Sequence, residues 1–171
     1  MDFYVARANE RKRQDFLNSI RLGKLENYVK EIKYINKETD YCMDVDCHFA
    51  TRNFFVPNLK STINVYPLAF DNNFTENKTD FLSVLIDHEC FHAREYYQKP
   101  KITIPSKKLT KVETAIFHLD LELRAYHNQI RMIKTGRDVS ETFLDNLESR
   151  LRKKERLKSF LGQEGVEILT A

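Results

Sequence analysis

The chain has no tryptophan, only four glycines and four prolines, and only three cysteines in 171 residues. Scarce glycine and proline exclude collagen-like, linker-rich and low-complexity chains and leave room for long uninterrupted helices. Cys42, Cys47 and Cys90 cannot all pair within one chain, which argues against a disulfide framework and for free thiols in a reducing compartment. No apolar run reaches the ~18 residues of a membrane span. The N-terminal stretch MDFYVARANERKRQDF lacks the apolar core of a secretory signal. A cytoplasmic protein with no membrane partner is expected. Excess charge is missing too: the formal net charge is +3, too small to argue for nucleic acid. The 42% hydrophobic residues suffice for a packed core, and the length suits one domain over residues 1–171.

Apolar spacing divides the chain. Phe16, Leu17, Ile20, Leu25, Tyr28, Val29 and Ile32 recur at helical intervals, predicting one or two helices in the N-terminal stretch with a bend at Gly23. From Tyr41 to Phe70 β-branched and aromatic residues take over, and three short strands fit: Met43 to Phe49, Asn53 to Val56, and Thr62 to Tyr66. Pro57-Asn58 reads as a turn, and Pro67 places the third strand at a sheet edge. A helix then runs from Thr79 to Gln98, facing the core with Leu82, Leu85, His88, Glu89, His92 and Tyr96. Thr110 to Glu113 forms a capping box that opens a helix through Lys134, stopped by Gly136. Asp138 or Ser140 starts a last helix through Leu161, burying Phe143, Leu144, Leu147 and Leu151. The expected class is α+β: mainly helical, with a small antiparallel sheet.

Residues 88 to 92 read His-Glu-Cys-Phe-His. Four residues apart on a helix, His88 and His92 share one face, where two imidazoles can bind one zinc ion. Glu89 beside them is placed to act as general base. A catalytic zinc takes three protein ligands and keeps one position open. On the next helix the apolar stripe is Val112, Ile116, Leu119, Leu123, Tyr126 and Ile130, and Glu122 lies at its border. Glu113 is already explained as a cap, while Asp120 and His127 point further away, so Glu122 is the expected third ligand and His118 the runner-up. Tyr126 or His118 is the candidate second donor to a developing oxyanion. The expected reaction is hydrolysis of a peptide or protein substrate, which would pair as an added strand along Thr62 to Tyr66.

Blander readings stand beside this one. The two histidines also fit as hydrogen-bonded core residues, and Glu122 as a surface ion-pair partner. Cys42, Cys47 and His48 supply three of the four ligands a structural zinc needs, so core thiols are the better reading, as for Cys90. Glu89 to His92 satisfies the ExxH half-motif of di-iron bundles, but the chain has no second copy. The basic runs ARANERKRQ and SRLRKKERLK raise the alternative of an inactive scaffold that binds protein or nucleic acid. Interleaved acidic residues favour solvated helix faces instead.

His88-Glu89-Cys90-Phe91-His92, followed about thirty residues later by Glu122-Leu123-Arg124-Ala125-Tyr126, resembles the zincin metallopeptidases of the gluzincin type. The order INVYPLAF then LSVLIDHECFH is similar to small single-domain members. The resemblance spans roughly residues 60 to 130 and implies a zincin-like fold, zinc on His88, His92 and Glu122, Glu89 as catalytic base, and peptide hydrolysis. No third histidine follows His92 as in metzincins, and Arg94 stands where zincins usually have an apolar residue, predicting a more exposed turn there.

Overall fold

The computed structural model describes residues 2–36, 48–52, 58–71, 73–99 and 109–170, with side chains through residue 163. Two short helices, α1 (Phe3–Ala8) and α2 (Arg13–Asn18), open the chain. A 3-10 turn at Gly23–Asn27 leads into strand β1 (Val29–Tyr34), followed by β2 (Phe49–Arg52) and β3 (Ser61–Val65). One continuous helical rod follows: α3 (Lys78–Leu82), a π-helical segment (Ser83–Glu89) and α4 (Cys90–Gln98). Two long helices complete the chain, α5 (Lys111–Lys134) and α6 (Glu141–Thr170).

The sheet order is β1-β3-β2, with β1 parallel and β2 antiparallel to β3. The α+β class therefore stands, but the sheet is mixed rather than antiparallel. Tyr28, Val29 and Ile32, read as helical, belong to or precede β1. Val29 and Ile32 are three apart, which mimics a helix face, and pairing with β3 overrides that local signal. The third expected strand exists but is central, so no substrate strand can add to it. Pro67 does not mark an edge, because it lies past the ladder as the first residue of a 3-10 turn, Pro67–Phe70, where its missing N–H leaves the sheet intact. The expected strand at Asn53 to Val56, Pro57, Cys42 and Cys47 lie outside the described residues. Asn58 sits in a turn with φ 61°, a conformation asparagine tolerates.

The core is aromatic. Phe81 of α3 meets Phe3, Phe16, Phe49 and Phe70 with ring centroids 5.1–5.4 Å apart, joining the N-terminal helices and the sheet to the rod that carries the motif. The expected capping box forms: Glu113 N–H donates to Thr110 Oγ1 and Thr110 N–H to Glu113 Oε2. Gly136 follows α5 with φ 122°, a stop that favours glycine. Ser140 caps α6, accepting from Phe143 N–H while its own N–H and hydroxyl donate to the fully buried Asp80. Phe143 and Leu147 then fix α6 against the core, and Leu144 and Leu151 are partly buried. Among the described residues no helix is long and apolar enough to cross a membrane.

Candidate metal centre

The HECFH sequence straddles a change of helix type. His88 and Glu89 end the π-helical segment, and His92 lies in the first turn of α4. Sequence spacing predicts a plain α-helix here; the π-turn is the difference, and such bulges recur at functional sites. The segment is also mostly buried. Ser83, Val84, Leu85, Asp87, His88 and Glu89, six of the segment's seven residues, are buried, so it has no solvent face and must satisfy polar groups on several sides. The Asp87 carboxylate takes two 2.8 Å bonds from Arg137, and the Asp87 carbonyl accepts from Asn128 Nδ2 at 2.7 Å. Ser83 Oγ accepts from Gln129 Nε2 at 3.2 Å. These links set the register of α5 against the motif and hence the position of Glu122.

Among the described residues His88, His92 and Glu122 form the one group able to hold a metal ion, with ligand atoms within 4.8 Å of one another. His92 Nε2 is 3.2 Å from Glu122 Oε1, and His88 Nε2 is 3.7 Å from Glu122 Oε2. Ligands on a tetrahedral zinc at ~2.0–2.1 Å sit ~3.3 Å apart, so these separations fit the ion with little movement. His92 Nε2 is buried and, though beside Glu122 Oε1, makes no aligned hydrogen bond with it. Two imidazoles and a carboxylate are a donor set suited to zinc. The runner-up His118 is exposed on α5, against Phe117, and lies outside the trio. Asp120 and His127 pair instead with Lys158 and Glu155 of α6.

The electrostatics follow from this crowding. Burial works against a charged His92, but the Glu122 carboxylate beside it wins and raises the imidazole above its ordinary 6.5. Burial likewise opposes ionisation of Glu122, and the adjoining His88 and His92 outweigh it, holding the carboxyl well below 4.5. Without metal, the His92–Glu122 pair thus stabilises the fold most between pH 4.5 and 6.5. Below that window the Glu122 contribution is lost as its depressed pKa is crossed; above it the His92 contribution is lost as its raised pKa is crossed. Zinc requires neutral His92, so the increase in melting temperature on adding zinc should be small at pH 5.5 and large at pH 8. Calorimetry with and without zinc checks this, and equal increases at both values would contradict it.

Thr51 of β2 was not legible as part of the site. Its hydroxyl lies 2.7 Å from Glu89 Oε2 and 3.0 Å from the Glu89 carbonyl, so β2 packs directly on the motif. Only the packing of strand on rod shows this, since no sequence spacing links residues 51 and 89. Tyr126 is buried with its ring 4.7 Å from His88. Tyr96, one turn after His92, stacks on it at 6.1 Å; apolar spacing places it on the core face but not in the site, although its spacing of four from the histidine is a signal that could have done so. Burial, reinforced by the Glu122 charge, pushes both phenols up to about 12, so both keep the proton needed to donate. Buried Glu95 takes Lys99 at 2.7 Å and Arg124 at 3.2 Å, pinning α4 to α5 close to both His92 and Glu122. Cys90 is a core thiol as expected: burial raises it to about 12 and leaves it protonated. His48 stacks on Phe74 at 3.6 Å. Arg94 is partly exposed and covers the Phe91 ring, but His92, Ala93 and Glu95 around it are buried, so the turn is not the exposed one expected.

Comparison of the chain with protein-family models, curated proteins and solved structures finds no match.

Proposed function

We propose that the protein is a zinc-dependent peptidase of zincin-like design, with His88, His92 and Glu122 holding the metal and Glu89 as general base. The observation that carries this reading is the convergence of the three ligand side chains around a buried His92 Nε2 that has no aligned hydrogen-bond partner. When bound, zinc supplies a water of near-neutral pKa and polarises a carbonyl. The remaining work belongs to side chains. Thr51 donates to Glu89 Oε2, orienting the carboxylate and leaving Oε1 to take the proton from the attacking water. Glu89 then returns that proton to the leaving amine, so the base is regenerated as the peptide bond breaks. Tyr126, whose ring lies beside His88, and Tyr96, whose ring stacks on His92, are the candidate donors to the oxygen that gains charge. The same two-histidine, one-carboxylate set also suits Fe(II); Glu89, held beside it by Thr51, is what favours hydrolysis.

Glu122→Ala tests the ligand set. Zinc affinity measured by competition with a chromogenic chelator should weaken by about two orders of magnitude. Unchanged affinity would move the third ligand elsewhere. With the natural chain, hydrolysis of a peptide library should stop on chelation and return with added zinc.

A further inference from the structure

The sequence RLRKKER on α6 looks like a uniform basic face. In the fold it is not uniform. Arg152, Lys153 and Arg156 are exposed, whereas Lys154 turns toward the metal centre. Its Nζ is 3.8 Å from Glu122 Oε2 and 5.7 Å from the centre of the Tyr126 ring, with 28% of its side chain exposed. Arg150, one turn earlier on the same side of α6, lies against the Tyr126 hydroxyl and over the Phe74 ring at 5.1 Å. The position of α6 is fixed by the Ser140–Asp80 bonds and by buried Phe143 and Leu147. Ion pairs of Lys134 with Glu148 and His127 with Glu155 hold it along α5.

We propose, resting on the metallopeptidase reading, that the site selects substrates carrying a carboxylate close to the scissile bond, and that Lys154 is the residue that reads it. The other ion pairs between α5 and α6 use carboxylates with no part in the metal centre. Lys154 instead shares the Glu122 carboxylate with the metal position. A dication bound there takes up that charge and repels the ammonium. The other acids of the site are engaged: Glu89 with Thr51 and the proton, Glu95 with Lys99 and Arg124. Among the described residues, then, the loaded site has a half-buried cation without an assigned anion, with a second cation, Arg150, one turn away. A substrate carboxylate supplies the missing charge through a charge-assisted contact. A free C-terminus and an acidic side chain offer the same chemistry.

The test is binding, by titration calorimetry, of three hydroxamates with one backbone to the zinc-loaded full chain. One is neutral and amidated, one ends in a free carboxylate, and one is amidated with a glutamate side chain. At least one anionic form should bind about tenfold or more tightly than the neutral form. That advantage should vanish in Lys154→Met and persist in Lys154→Arg, while the neutral compound binds all three proteins alike. The anion that loses its advantage identifies the source of the carboxylate. Equal binding of all three compounds to the natural chain, or an advantage that survives Lys154→Met, overturns the proposal. Failure of even the neutral hydroxamate to bind is a different result: it refutes the metal centre, and this proposal with it.

Discussion

Glu89→Gln should lower kcat by about three orders of magnitude, ~4 kcal/mol of barrier, while leaving zinc affinity within about threefold of the natural chain. The substitution keeps the shape of the side chain and removes only its ability to take a proton. The Thr51 hydroxyl still finds an oxygen to donate to, so the buried rod loses no hydrogen bond. His88, His92 and Glu122 keep their mutual geometry, because Glu89 is not one of the group. Loss of turnover with metal retained separates chemistry from binding. Full activity of Glu89→Gln on any peptide substrate would remove Glu89 from the mechanism.

Arg137→Ala should destabilise the protein by about 3–5 kcal/mol, the range for breaking a buried ion pair from one side. Asp87 is 3% exposed and takes both of its 2.8 Å bonds from Arg137, so truncation leaves a buried carboxylate without its partner. For a chain of this length the melting temperature should fall by about 6–20 °C. Arg137→Lys should recover only part of this, since an ammonium cannot make the two parallel bonds. Asp87 immediately precedes His88, so zinc affinity should weaken together with stability. Denaturant unfolding of the metal-free protein measures the first effect. A cost below about 1 kcal/mol would mean that the π-helical segment is anchored by packing alone.

These two residues also mark where sequence reading succeeds and where it stops. Local signals placed the long helices: the Thr110–Glu113 capping box and Gly136 bound α5, and Ser140 starts α6. The stripe on α5 pointed to Glu122, and the fold brings it to the two histidines, because helical periodicity states which side of a rod a residue occupies. The features that orient the site were hidden because they depend on contacts between distant segments. Arg137 meets Asp87 across 50 residues and Thr51 meets Glu89 across 38, and neither pair follows any period. The β1–β3 parallel pairing was hidden for the same reason, since VKEIKY carries apolar residues three apart, compatible with either element. Nothing in the apolar spacing of the motif announces the π-turn.

Metal content of the purified full chain, measured by elemental mass spectrometry beside a His88→Ala/His92→Ala double variant, tests the central claim most directly. The account predicts about one zinc per chain, absent from the double variant. No metal in either protein after incubation with zinc, or equal metal in both, would contradict it.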